Sequence, residues 1–146
     1  MIIRRAEPED LPQLVELLTE MHNEVEIPVS KLSTEKGISV IKHVMKTGIV
    51  IVAESEGKIV GSQAGRKCCD WWSEEEHFSD FWFYVLPANR KSTAAIKLVK
   101  CFIKIGKELK LKTKLGHVYS GDIDRKDKFF NRLGFVKAGS LFVEAN

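Results

Sequence analysis

A chain of 146 residues, of which 44% are hydrophobic and 29% charged, has the size and composition of one globular domain, predicted to span residues 1–146. Its net charge of +3 is too small to favour nucleic acid as a partner, and no apolar run is long enough to cross a membrane. The three cysteines, two of them adjacent and none in a C-x-x-C spacing, argue against a disulfide framework or a zinc site and fit a reducing, cytoplasmic location. The N-terminal sequence turns acidic at Glu7, unlike a signal peptide, so secretion is not expected.

Hydrophobic periodicity and breaker residues predict the elements of this domain. The first helix carries an apolar stripe at helical spacing, and Ser33 or Thr34 can cap the second. The run IVIVAES is β-branched and too short for a helix, and Pro87 ends the aromatic strand FSDFWFYV because proline donates no ladder hydrogen bond. In chain order, we predict a strand at 2–6, helices at 8–22 and 33–46, strands at 49–55, 58–66 and 78–85, a helix at 91–110, a strand at 113–119, a helix at 124–133 and final strands at 135–144.

This order, β-α-α-β-β-β-α-β-α-β, predicts an α/β (α+β) fold class. The three strands within 49–85 have no helix between them, so they are expected to form an antiparallel meander. The strand–helix–strand unit 78–119 is expected to be parallel and right-handed. The result is a mixed, mostly antiparallel central sheet with helices on both faces.

Two sequence motifs connect this order of elements to a known family. The first is YVLPANRKSTAAIKL, residues 84–98, where a strand ends and a helix begins, and the second is KFFNRLGFVKAGSLF, residues 128–142. Together with the element order, they resemble the GNAT superfamily of N-acetyltransferases over nearly the whole chain. That family's signature is R/Q-x-x-G-x-G/A after a strand often ending V-x-P. Arg90 takes the Arg/Gln position, and Thr93 and Ala95 stand where the glycines are usual, as in a branch common in bacteriophage genomes.

The resemblance implies acetyl-CoA (coenzyme A) as the cofactor. The N–H groups at a helix start lack partners within the helix and bind anions, so the turn after the aromatic strand is predicted to hold the pyrophosphate. Without glycine, this works if no residue of the turn needs a positive φ. The family also pairs the pantetheine arm with the end of the preceding strand. The predicted coenzyme-binding residues are Phe83, Tyr84, Val85, Leu86, Arg90, Lys91, Ser92, Thr93, Ala94, Ala95 and Phe130.

Acetyl transfer to an amine needs a base for the amine and, in many enzymes, a proton for the leaving thiolate. In much of the family a tyrosine on the last helix is the donor, but Phe130 stands there and cannot donate. Tyr119 is the preferred donor, and His117, two residues earlier on the same strand face, is predicted to be the base or to orient a water. Asp80 and His77 are alternative bases. Each of these groups also has a plain interpretation as a structural side chain with a local partner.

The irregular stretch CCDWWSEEEH is predicted to border the acceptor. Its tryptophans offer flat apolar surface, and its glutamates attract a cationic amine or a basic peptide. The resemblance adds the connection between the first two helices to the same wall. The predicted acceptor-binding residues are Glu24, Glu26, Trp71, Trp72, Glu74 and Glu75. The alternative is a solvated acidic loop with one tryptophan packed beneath it.

These features predict an acetyl-CoA-dependent N-acetyltransferase. The acceptor is a primary amine, on a small molecule or on a peptide or protein, which attacks the thioester directly in a ternary complex. The expected partners are acyl-CoA and an amine acceptor, with no nucleic acid, no membrane and no metal, and a homodimer is compatible with the chain. Phe130 and the glycine-free turn motivate an alternative, a catalytically impaired CoA-sensing or protein-binding module. A third, weaker interpretation is a host-directed effector that binds protein through the acidic tryptophan loop.

Overall fold

The computed structural model describes residues 1–27, 29–117 and 121–145. Short 3-10 turns at Pro8–Asp10 and Pro87–Asn89 introduce the first and third helices. The helices and strands in these ranges are, in chain order, β1 (Ile2–Arg5), α1 (Leu11–Asn23), α2 (Thr34–Thr47), β2 (Ile49–Ser55), β3 (Lys58–Cys69), β4 (Glu76–Val85), α3 (Ala94–Glu108), β5 (Lys112–Lys114) and α4 (Ile123–Arg132).

The strands form one sheet in the order β1-β2-β3-β4-β5. Every pairing is antiparallel except that of β4 with β5, which is parallel. On one face α1 and α2 bury Leu14, Leu17 and Ile41 against the sheet, and on the other α3 buries Leu98 and Phe102. The predicted fold class is confirmed.

Several predicted boundaries differ from the structure, and three of the differences concern the site or the sheet. The strand predicted at 113–119 is β5, which ends at Lys114, so residues 115–117 lie beyond it. Helix α3 ends at Glu108 because the chain reverses at Lys110, which has a φ of 57°. The sequence predicts final strands at 135–144, but residues 135–145 form none. A strand needs a neighbour for its backbone hydrogen bonds, and none of the described strands pairs with this segment. The hydrophobic side chains of Val136 and Phe142 are accordingly about nine-tenths exposed.

A bulge in β4 separates it from β5. Ala64 of β3 pairs with Trp82, whereas the next residue, Gly65, pairs with Asp80, so Phe81 is an extra residue in β4. Such a bulge bends its strand and interrupts the ladder. Pairing of β4 with β5 ends at Ser79 and Lys114, just before the bulge. Strand pairing therefore ends there, and we call the region between residues 80–85 and residues 115–117, where β4 has no described strand on this side, the slot.

Gly65 is predicted to be required for this arrangement. A Cβ at this position would overlap the Phe102 ring and lie 2.8 Å from the Ser79 carbonyl oxygen. We expect Gly65→Ala to lower the free energy of unfolding by about 1–3 kcal/mol, as overpacking of a core does. Gly37→Ala is the control, because a Cβ there meets nothing within 4 Å and alanine favours the α2 helix. Urea unfolding measures both, and a Gly65→Ala protein as stable as wild type would contradict the prediction.

Candidate active site

The open edge of β4 forms one wall of the slot. The N–H of Leu86 donates to the Val60 carbonyl at 2.9 Å, so Leu86 directs its backbone groups at β3. Because these groups alternate along a strand, those of Phe83 and Val85 point away from β3, into the slot. The Val85 carbonyl accepts from Arg90 Nε at 3.0 Å. The side chains also alternate, since Phe83 and Val85 pack on the α3 face, whereas Tyr84 and Leu86 pack with α1 and α2.

Beyond β4, residues 90–95 form a turn that leads into α3, which we call the cradle. No residue of the cradle has a positive φ, so the turn does not need glycine. Ser92 Oγ accepts from the Ala94 N–H at 3.2 Å and donates to the Asn89 carbonyl at 2.6 Å, so this hydroxyl caps the helix start. Ala94 is buried, while Lys91 and Thr93 are exposed beside the first turn of α3. The backbone therefore meets the condition for an anion site without glycine, because no residue of the cradle has a positive φ.

The exposed side chain of Arg90 turns back from the cradle toward β4 and α1. Its Nη2 forms an ion pair with Glu24 at 2.5 Å, and its guanidinium lies 5.4 Å from the centre of the Tyr84 ring. Burial raises the pKa of Glu24, but its contacts with Arg90 and Tyr84 outweigh burial, and the pKa lies below its ordinary value. Burial, and then the Glu24 carboxylate, raise the pKa of Tyr84. A residue predicted for the coenzyme and one predicted for the acceptor are therefore joined, and Arg90 ties the cradle to the end of α1.

Asp80 lies where the slot begins. Its Oδ1 accepts from the Gly116 N–H at 3.0 Å, which links the two walls at their narrow end. Burial raises the pKa of this carboxyl to about 7, against the weaker opposing effect of the hydrogen bond from Gly116. A group that changes protonation near neutral pH inside a cleft is suited to acid–base catalysis.

His117 lies on the opposite wall from β4. Its Nε2 is 2.7 Å from Asp127 Oδ1 on α4, and its ring stacks on Phe130 with centroids 5.6 Å apart. Phe130 also contacts Phe83 of β4, with ring centroids 6.3 Å apart, so α4 reaches the β4 side of the slot. Sequence reasoning missed Asp127, because nothing in the sequence links a charged helix residue to a histidine ten positions earlier. Tyr119, the predicted donor, lies outside the described residues.

His77, the other alternative base, is not brought to the slot. It lies within the paired part of the sheet, opposite Lys112 of β5, and is buried. Its Nε2 is 3.1 Å from the Sγ of Cys68 on β3. It therefore has the local partner that the plain structural interpretation requires.

The loop between β3 and β4 presents its aromatic and acidic residues to solvent. Trp71 is 93% exposed and Trp72 is 68% exposed, and their rings meet edge to face 5.4 Å apart. The alternative of a solvated acidic loop is therefore wrong in packing one tryptophan beneath it, although the loop is exposed to solvent as that alternative expected. Residues 74–76, all glutamate, are exposed as well, as is Glu26 after α1. Asp70 at the loop base forms an ion pair with Lys114 of β5 at 2.8 Å, which anchors the loop beside the slot.

Another charged residue, which sequence reasoning missed, is Lys126 of α4. Burial lowers its pKa, and so does the positive charge of Arg90 nearby.

Among the described residues there is no cluster of three or more potential metal ligands. In the same ranges, no helix combines the length and apolarity that a membrane span requires.

Comparison with known proteins supports the fold. No protein-family model and no curated protein sequence matches the chain. Among solved structures, it is similar to an aminoglycoside 6'-N-acetyltransferase from Acinetobacter haemolyticus, with 16% identity, a TM-score of 0.76 and coverage of 100% of this chain and 98% of that one. A GNAT family acetyltransferase from Staphylococcus aureus gives 18% identity, a TM-score of 0.68 and coverage of 99% and 98%. A predicted acetyltransferase from Clostridium acetobutylicum, solved with acetyl-CoA, has 14% identity and a TM-score of 0.76. The match covers 99% of this chain and 95% of that one. The chain has the fold of the GNAT acetyltransferases.

Proposed function

We propose that the chain is an acetyl-CoA-dependent N-acetyltransferase that transfers an acetyl group to a primary amine by direct attack in a ternary complex. The observation that carries the proposal is the position of Asp80, a half-buried carboxyl with a pKa of about 7 that lies where the pairing of β4 with β5 ends, on the strand that leads into the cradle. A binding module has no need of a titrating carboxyl at that point. An N-acetyltransferase does need such a group, because the amine must lose a proton before it attacks the thioester.

The described residues fit the coenzyme. The exposed first turn of α3 offers N–H groups to a pyrophosphate, and Lys91 adds positive charge beside it. The outward backbone groups of Phe83 and the N–H of Val85 offer an amide-bearing arm the pairing that β5 does not provide, whereas the Val85 carbonyl is held by Arg90. When bound, acetyl-CoA supplies the activated thioester. Asp80 then accepts the proton that the amine releases.

The loop between β3 and β4 favours a cationic acceptor. Trp71 and Trp72 are exposed flat surfaces next to three exposed glutamates, and Glu26 adds a further negative charge. Aromatic faces and carboxylates both attract ammonium groups. We therefore assign the acceptor to the class of polyamines, amino sugars and basic peptides.

Calorimetry with acetyl-CoA, followed by thiol release with an amine panel, tests the function. We expect saturable acetyl-CoA binding. We also expect a higher kcat/KM for a polyamine, an aminoglycoside or a lysine-rich peptide than for a monoamine of the same length that carries no further positive charge. Absence of acetyl-CoA binding would overturn the proposal. Binding without turnover on any amine would instead support the CoA-sensing module, for which the exchange of a donor tyrosine for Phe130 is the favouring observation.

A further inference from the structure

The imidazole of His117 is fixed on two of its sides and has an unused nitrogen. Nε2 meets Asp127 Oδ1 at 2.7 Å, and one ring face stacks on Phe130 at an interplanar angle of 21°. Nδ1 is buried and has no hydrogen-bond partner in the part of the chain that the structure describes. A buried polar atom without a partner is unfavourable and uncommon in folded proteins. His117 itself belongs to the wall of the slot, so a ligand in the slot is a candidate partner for this nitrogen.

Asp127 determines which nitrogen of His117 carries the proton. Lys137 Nζ lies 2.9 Å from the other Asp127 oxygen, and Lys137 first, then His117, hold the pKa of Asp127 below its ordinary value. The carboxylate is therefore ionised at neutral pH and only accepts hydrogen bonds, so Nε2 must be the donor. A second proton can then reside only on Nδ1.

The surroundings of Phe130 contain no other proton donor among the described ring contacts. Phe83, Phe129 and Phe135 all contact the Phe130 ring, and none of them can ionise. Asp80 is held on the other wall by Gly116, the residue before His117. The slot is therefore bordered by a carboxyl from β4 and by an imidazole that follows β5.

We propose, on the basis of the proposed function, that His117 is the acid that protonates the leaving sulfur and that Asp127 is its positioning residue. When the tetrahedral intermediate collapses, the carbon–sulfur bond breaks and its electron pair goes to sulfur. The proton on His117 Nδ1 moves to that sulfur, and Nε2–H remains bonded to Asp127. Asp80 holds the proton from the amine, and both groups then re-equilibrate with solvent. The transfer is favourable because imidazolium is a stronger acid than a thiol by about 2 pKa units.

The resting protein provides the first test, which does not depend on activity. Long-range ¹H–¹⁵N spectra of the histidine rings should show His117 with its proton on Nε2 in wild type. Asp127→Asn should disturb that pattern, because an amide can present a donor as well as an acceptor. Asp124→Asn, an exposed aspartate on the same helix, is the matched control and should leave the spectrum unchanged. A wild-type His117 with the proton on Nδ1 would overturn the proposal.

Kinetics with acetyl-CoA and the best amine of the panel provide the second test. We expect His117→Gln to lower kcat about 100-fold, with the acetyl-CoA Kd changed less than about threefold, and Asp127→Asn to lower kcat about tenfold. His43→Gln, on the exposed face of α2, is the control. Added imidazoles should restore activity to His117→Ala, and across a series of imidazoles at one pH the rescue should follow the imidazolium concentration. If His117→Gln does not fold, as judged by its thermal melt, Asp127→Asn and the rescue experiment decide.

The outcomes separate this proposal from the proposed function. Wild-type turnover with a fully active His117→Gln overturns the acid assignment alone, and full loss in Tyr119→Phe would then return the role to Tyr119. Rescue that follows the neutral imidazole concentration also overturns it, because His117 would then be a base. A wild type that binds acetyl-CoA but acetylates no amine overturns both proposals.

Discussion

Asp80→Asn is expected to lower kcat/KM for the amine about 100-fold or more, the range for loss of a general base. Asparagine keeps an oxygen for the Gly116 N–H, so the walls of the slot stay joined, but it cannot accept the proton of the amine. The acetyl-CoA Kd should therefore change less than about twofold, because no coenzyme contact is assigned to this side chain. Steady-state kinetics and calorimetry on the same preparation separate the two effects.

The pH profile supplies the control for this variant. Because burial raises the pKa of Asp80 to about 7, wild-type kcat/KM should rise with pH up to about 7 and then level, and Asp80→Asn should lose that step. The same raised pKa disfavours the folded state once pH exceeds the ordinary aspartate value, since the unfolded chain ionises first. At pH 8, Asp80→Asn should thus melt at a higher temperature than wild type. A variant with full activity and an unchanged profile would exclude Asp80 as the base.

Thr93→Asp is expected to weaken acetyl-CoA binding about 30-fold, which corresponds to about 2 kcal/mol. Thr93 precedes the first residue of α3, is exposed, and makes no capping hydrogen bond. An aspartate there competes for the N–H groups that a pyrophosphate needs and repels its charge, yet it is a favourable residue at a helix start. Binding should fall while the melting temperature without ligand stays the same or rises.

Thr93→Asn provides the matched comparison. It has nearly the same shape as aspartate and also caps helices, but it carries no charge. We expect calorimetry to give an acetyl-CoA Kd for Thr93→Asn within about threefold of wild type, because electrostatic repulsion is removed. Equal affinities for the Asp and Asn variants would show that the first turn of α3 does not hold the phosphates.

The sequence predicts the elements well where local signals are strong. Alternating or β-branched runs between turns predicted β2 with its observed ends, and the Ser33 cap of α2 accepts from the Lys36 N–H as expected. The meander and the parallel β4–β5 pair follow from connection lengths. Residues 135–145 show the limit, because an alternating pattern forms a strand only where a neighbouring edge is available.

The candidate site is less readable than the fold. The cradle was recognisable because the anion binding proposed for it depends on backbone geometry, which small residues and a helix start reveal locally. The partners of its side chains could not be recognised from the sequence, because Arg90 and its partner Glu24 are 66 positions apart. The pKa of Asp80 depends on its burial in the folded chain and on a hydrogen bond from Gly116, 36 residues away, and the pairing of His117 with Asp127 depends on where α4 docks. Such contacts are set by tertiary structure rather than by local pattern.

The extra residue at Phe81 makes one strand serve two kinds of neighbour. Up to Ser79, β4 gives its second edge to β5, and beyond the bulge the same edge is left for a ligand. A chain one residue shorter here could continue its ladder, add hydrogen bonds and gain stability, and it would lose the open edge with which we propose the coenzyme pairs. The unpaired edge of β4 beyond the bulge is thus the part of the sheet that remains able to pair with another molecule.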